Sequence, residues 1–109
     1  MATTYKVLAQ VSPSATTETA LYSPSGVAAV VSTITICNQA SSAATYRIAV
    51  RKTGEASTAA KNWIVYGATV AASDTTALTL GITLEDGAAI RVYASTATLS
   101  FSAFGSEIS

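Results

Sequence analysis

The stretch Ala44-Thr-Tyr-Arg-Ile-Ala-Val-Arg-Lys52 decides the fold class of this chain. Its apolar residues Tyr46, Ile48 and Val50 alternate with smaller or charged residues, so one set faces a core while the other faces solvent or a partner. A helix would need apolar residues three and four apart, and that spacing is hard to find anywhere in the sequence. The stretch therefore predicts a β-strand with both of its arginines on the outward face.

The same alternation recurs along the chain, and turn-forming residues separate the segments that carry it. Two such segments are Ser23-Pro-Ser-Gly26 and Glu85-Asp-Gly87. They favour turns because proline fixes φ and glycine tolerates a positive φ. We predict strands at residues 5–11, 19–22, 27–37, 44–52, 61–69, 75–80, 88–94 and 97–104. This spacing predicts a single all-β domain over residues 1–109, an eight-stranded β-sandwich of jelly-roll or Greek-key type with short or no helix.

The alternation also predicts which side chains line the two inner faces of the sandwich. They are Leu8, Val30, Ile34, Ile36, Ile48, Val50, Leu78, Leu80, Ile90, Val92, Leu99 and Phe101. Cys37 ends an apolar segment and has no second cysteine to pair with, so we interpret it as a buried structural residue.

The composition is poor in charge for a folded domain. Only 11% of the residues are charged, against about 25% in an ordinary soluble domain. Of the 109 residues, 31 are Ser or Thr and 22 are Ala, and the formal net charge is zero. Because so few charges keep a free monomer in solution, we expect neighbouring proteins to cover much of the surface.

Several function classes find no support in the residues. The apolar residues 27–37 are too few for a membrane span, and no apolar segment of a secretory signal follows Lys6. Six scattered bases do not form the basic stripe that nucleic acid requires. We therefore expect synthesis in the cytoplasm, with neither a membrane nor a nucleic acid as partner.

No arrangement of residues predicts catalysis. The chain has no histidine, which removes the commonest general base and the usual catalytic triads. Glu85 and Asp86 adjoin in a turn, where we expect them to face water and not to hold a metal. We expect no enzymatic activity, no cofactor and no metal.

The candidate contact residues are charged or aromatic side chains on predicted strands: Arg47, Arg51, Lys52, Tyr93 and Phe104. The basic strand is read either as a solvated outer face or as a subunit contact, since arginine is enriched at interfaces. Trp63 and Tyr66, with Tyr93 and Phe104, are read as core or interface anchors or as a platform on which a sugar stacks.

Segments along most of the chain resemble a family of small virion structural proteins from tailed bacteriophages, particularly phages of cyanobacteria and marine bacteria. The resemblance lies in residues 8–22 (LAQVSPSATTETALY), 31–38 (VSTITICN), 80–84 (LGITL), 92–101 (VYASTATLSF) and 104–107 (FGSE). It implies a β-sandwich that sits on the phage particle and assembles as an oligomer, and it supplies no active-site residues.

Together these observations favour a capsid decoration or cement protein, a homo-oligomer that stabilises the shell of the major capsid protein. We favour a trimer. A tail, neck or baseplate component of the same particle is an alternative, and a carbohydrate-binding module for attachment to the host surface is an alternative of another class.

Overall fold

The chain folds into two four-stranded antiparallel sheets that pack face to face. The computed structural model describes residues 2–109. Its strands are β1 (Thr3–Val11), β2 (Thr19–Tyr22), β3 (Ala28–Asn38), β4 (Ala44–Arg51), β5 (Trp63–Val70), β6 (Thr75–Leu84), β7 (Ala89–Ala94) and β8 (Leu99–Ile108). One 3₁₀ turn, Ala60–Asn62, precedes β5. The predicted eight-stranded β-sandwich is confirmed.

The order of the strands makes the sandwich a jelly roll. Sheet A has the order β1-β8-β3-β6, and sheet B has the order β2-β7-β4-β5. Each connection crosses from one sheet to the other except the one between β4 and β5, which are neighbours in sheet B. Such crossing between two sheets is the jelly-roll arrangement of eight strands.

The core lies between the sheets and is formed by alternate residues of the inner strands. Of the predicted inner residues, Ile34, Ile36, Ile48, Ile90, Val92, Leu99 and Phe101 are fully buried. Leu8, Val50 and Leu78 are half-buried and pack against them. The ring of Tyr46 meets that of Phe101 edge to face at 6.2 Å, which joins sheet B to sheet A in the middle of the core.

A bulge in β3 makes two of the predicted inner residues wrong. Ser32 is an extra residue of β3 relative to β8, so the alternation changes phase and Val31 is buried in place of Val30. The pairing of β3 with β6 is irregular at the same point, and Leu80 is 48% exposed. In β3 the extra residue moves the side chains beyond it to the other face, whereas in β6 Leu78 and Ile82 both pack against the core and only Leu80, in the irregular segment between them, is exposed.

Two strands run four residues further than predicted. The predicted ends were residues 80 and 104, whereas β6 continues to Leu84 and β8 continues to Ile108. Glycine ordinarily weakens a strand, but Gly105 pairs with Val31 in the β3–β8 ladder, and β6 resumes pairing with β3 at Ile82, just beyond Gly81. Residues 61 and 62, predicted as strand residues, belong instead to the 3₁₀ turn, and Lys52 lies just beyond the end of β4.

Two further positions refine the prediction from sequence. Cys37 is half-buried and not buried as expected, because it pairs with Thr75 and Ser100 on the outer face of sheet A. Asn38, the next residue, is buried, and its amide donates to carbonyl oxygens of Ser42, Val70 and Ala71. Asn38 thus links the loops at one end of the sandwich by hydrogen bonds.

Within residues 2–109, no helix has the length and hydropathy to cross a membrane.

Candidate interaction surface

The outer face of sheet B carries most of the predicted contact residues. Arg47 of β4 lies opposite Tyr93 of β7 and opposite Tyr66 of β5, and Arg51 projects from the same side of β4. Trp63 lies opposite Ala49 on this face. The antiparallel pairing of the three strands therefore places an arginine among aromatic rings contributed by both of its neighbours.

We call Arg47, Trp63, Tyr66 and Tyr93 the Arg47 cluster. The guanidinium carbon of Arg47 is 4.1 Å from the centroid of the Tyr66 ring and 4.4 Å from that of Tyr93. It is 5.9 Å from the Trp63 ring, which meets the Tyr66 ring edge to face at 5.6 Å. All three distances fall within the range of cation–π attraction. The four side chains thus form one continuous set of contacts on the outer face of sheet B.

An open hollow adjoins the Arg47 cluster. It has a volume of about 510 Å³ and is lined by Thr58, Ala59, Ala60, Trp63 and Tyr66. Tyr66 is 65% exposed, which is unusual for a large aromatic residue. An exposed aromatic wall beside an open hollow offers apolar area to an incoming molecule.

Arg51 is occupied within the chain, although it shares its face with Arg47. Its Nη2 lies 2.8 Å from Glu18 Oε2, which also accepts hydrogen bonds from Arg91 Nε at 3.0 Å and from Thr58 Oγ1 at 2.7 Å. Burial alone would raise the pKa of Glu18, but the bonds from Thr58 and Arg91 and the two positive charges lower it overall. This network ties the start of β2 to β4 and β7.

Glu18 was not singled out by the sequence, because nothing in its neighbourhood marks it as a partner of two distant arginines. The only available signal was that Arg91 and Arg51 alternate with apolar residues, which implies outward bases in need of an acid. Lys52, by contrast, is exposed. Its charge helps to lower the pKa of Glu85, after the hydrogen bonds from the backbone of Glu85 and from Thr53.

Phe104 lies on the opposite side of the molecule from the Arg47 cluster. It projects from the outer face of sheet A, paired with Val7 of β1 and with Thr33 of β3. Val7 is 52% exposed and Tyr5, on the same face of β1, is 83% exposed. We call Tyr5, Val7 and Phe104 the β1–β8 patch. The structure therefore divides the predicted contact residues between two outer faces.

The adjoining carboxylates Glu85 and Asp86 lie at the surface. Glu85 and Asp86 occupy an exposed turn, where Asp86 Oδ1 accepts the backbone N–H of Gly26 at 3.0 Å. Over residues 2–109, no group of three or more potential metal ligands is gathered. What the surface offers is aromatic and cationic contact area.

Comparisons with family models, with curated proteins and with solved structures found no match to this chain.

Proposed function

We propose that this protein is a non-enzymatic structural component of a tailed-bacteriophage virion, and that it acts as a capsid decoration protein. It is made in the host cytoplasm, associates with copies of itself, and stabilises the shell of the major capsid protein. Two arguments support the proposal. One is the resemblance to phage virion proteins in residues 8–22, 31–38, 80–84, 92–101 and 104–107, and the other is the pair of exposed clusters on the outer faces of the two sheets.

One observation carries the proposal: the two outer faces of the sandwich each expose an aromatic or apolar cluster, and they point in opposite directions. The Arg47 cluster lies on sheet B and the β1–β8 patch lies on sheet A. A protein that bridges neighbours needs two such surfaces, whereas a protein with a single ligand needs one. Exposed apolar side chains grouped together are typical of contact sites.

In this proposal the β1–β8 patch holds copies of the chain together. β1 is an edge strand of sheet A, and its exposed Tyr5 and Val7 alternate along one face. An uncovered edge of this kind is an aggregation risk, and closed rotational symmetry covers it without allowing open polymerisation. We favour a trimer. Each added contact contributes stability only in the assembled state, because it binds the folded form.

The self-association is tested by sedimentation of the purified chain. Val7→Asp places a charge in the centre of the patch and should convert the oligomer to an 11.0 kDa species. Thr79→Asp, which places the same charge on exposed β6 at the other edge of sheet A, is the matched control. A wild-type chain that sediments as a monomer at all concentrations would refute the oligomer.

Location on the particle is tested by mass-spectrometric quantification of purified virions. A decoration protein should be present in proportion to the major capsid protein. A small copy number that follows the symmetry of the tail would favour the tail, neck or baseplate alternative, and absence from virions would refute the virion assignment.

A further inference from the structure

Arg47 is a cation without an anion. The four ion pairs of residues 2–109 use Lys6, Arg51, Lys61 and Arg91, and Arg47 is not among them. The arginine hydrogen bonds within the same residues belong to Arg51 and Arg91. Arg47 is half-buried, so its charge is partly removed from water without the compensation of a carboxylate.

The rings around Arg47 prepare its guanidinium for a planar acceptor. The centroids of the Tyr66 and Tyr93 rings lie 4.1 Å and 4.4 Å from the guanidinium carbon. The N–H donors at the edge of the guanidinium are arranged as a fork that matches the two oxygens of a carboxylate. Because the rings restrict the side chain beforehand, less conformational freedom is lost when an anion binds.

The surroundings fit a polypeptide better than a saccharide. Sugar hydroxyls need acceptors such as carboxylates and amides as well as donors, but Asn62 and the Glu18 carboxylate that Thr58 contacts are engaged within the chain. Thr58 donates to Glu18 and accepts from Arg51, and Asn62 binds the backbone of Ala59 and of Val50. Within residues 2–109, the Arg47 guanidinium, the Tyr66 and Tyr93 hydroxyls and the Trp63 indole N–H make no ion pair or hydrogen bond. These free donors beside aromatic rings and alanine methyl groups suit an acidic residue flanked by apolar side chains.

The partner is expected to lie on the face of sheet B and not to extend it as a fifth strand. β5 is an edge strand, but its pairing with β4 is shifted at Ile64 and at Gly67. Gly67 has a φ of 85°, which interrupts the regular ladder. Bulges of this kind protect an edge against strand addition.

We propose that the Arg47 cluster is the docking site for an acidic polypeptide segment of a partner protein. A carboxylate of the partner binds the guanidinium of Arg47, and its apolar neighbours pack on Trp63 and Tyr66. This inference rests on the proposed function in one respect, namely that the partner is another protein of the phage particle. Binding of a carboxylate by Arg47 can be tested without the particle.

The test uses poly-L-glutamate as the probe and Trp63 as the reporter. Trp63 is the only tryptophan of the chain, so its fluorescence reports binding at this cluster alone. At low salt the titration should saturate for the wild type. Arg47→Lys keeps the charge but loses the planar fork, and it should weaken binding about tenfold. Tyr66→Leu removes one stacking ring and should weaken binding about threefold.

Lys52→Gln is the matched control, because it removes an exposed positive charge just beyond the end of β4 and outside the cluster. It should change the affinity less than about twofold. Equal loss in Lys52→Gln and Arg47→Lys would show diffuse attraction and overturn the site, as would an unchanged Trp63 signal. Circular dichroism confirms that each variant is folded.

Polygalacturonate, which carries carboxylates on a sugar backbone, forms the second arm. Binding of polygalacturonate without binding of poly-L-glutamate would overturn the polypeptide assignment in favour of an acidic glycan. Absence of the chain from virions would refute the proposed function while leaving the poly-L-glutamate result intact, so the two failures are distinguishable.

Discussion

The hydroxyl of Tyr22 donates a hydrogen bond of 2.5 Å to Glu107 Oε2 and thereby joins β2 of sheet B to β8 of sheet A. Glu107 also accepts from Lys6 of β1 at 2.7 Å. The bond from Lys6, followed by that from Tyr22, lowers the pKa of Glu107, whereas burial and the adjacent carboxylate raise the pKa of Tyr22. Three strands from two sheets therefore meet at one carboxylate.

Tyr22→Phe is expected to lower the melting temperature, because it removes the inter-sheet bond while keeping the ring. Tyr5→Phe is the matched control: Tyr5 is 83% exposed, and its hydroxyl makes no bond within residues 2–109. Thermal unfolding followed by circular dichroism compares the two. Equal melting temperatures for both variants would show that the bond does not stabilise the sandwich.

Glu18→Gln should destabilise the fold by about 1–2 kcal/mol, because it leaves Arg51 and Arg91 close together without their shared carboxylate. The loss is smaller than for a fully buried pair, since the Glu18 side chain is 26% exposed. Urea denaturation measures it, with the exposed Glu85→Gln as the control. A loss no larger than that of the control would refute the structural role of the network.

Acid should weaken the fold partly through Glu55. The ion pair with Lys61, aided by the backbone N–H of Lys52, lowers the pKa of Glu55 from 4.5 to about 2. The unfolded chain binds this proton first as pH falls, so the stabilisation by Glu55 is complete above about pH 5 and declines toward about pH 2. Urea midpoints measured across this range should fall less steeply for Glu55→Gln than for the wild type. Parallel slopes would contradict the assignment.

Asn38→Ala should cost about 2–4 kcal/mol, because it leaves buried carbonyl oxygens without their donor. The Asn38 oxygen also accepts from the backbone of Ala40 and from Thr98, so two more groups lose a partner. Gln39→Ala, at the exposed neighbouring position, should be nearly neutral in the same denaturation experiment. A neutral Asn38→Ala would mean that water replaces the amide.

Gly105→Ala should destabilise the sandwich by about 2 kcal/mol or more, because overpacking at this position meets backbone. A Cβ there would clash with the carbonyl oxygen of Val30 and lie 3.0 Å from Val31 Cα, in the ladder between β8 and β3. Ser106→Ala, one residue along, adds no atoms and serves as the control. Similar urea midpoints for the two variants would show that β3 yields at little cost.

The sequence by itself determined the fold class, because a period of two is a local property of the chain. Alternation in residues 44–52 placed Ile48 in the core and Arg47 outside, and the structure agrees. Turn residues likewise marked the connection at Gly87, whose φ is 89°. Such features depend on backbone sterics and on burial of one face, which each segment encodes alone.

Only the tertiary structure decided where the alternation changes phase and which distant side chains meet. The bulge at Ser32 depends on the register of β3 against β8, so Val30 and Leu80 were placed on the wrong face. Glu18 finds Arg51 and Arg91, and Arg47 finds Tyr66 and Tyr93, across residues far apart in sequence. Phe104 of β8 lies on the other sheet from Arg47 of β4 because the β4–β5 connection stays within sheet B, whereas each later connection crosses between the sheets. Contacts of this kind depend on which strands pair and in what register, and the sequence of a single strand does not specify its neighbour.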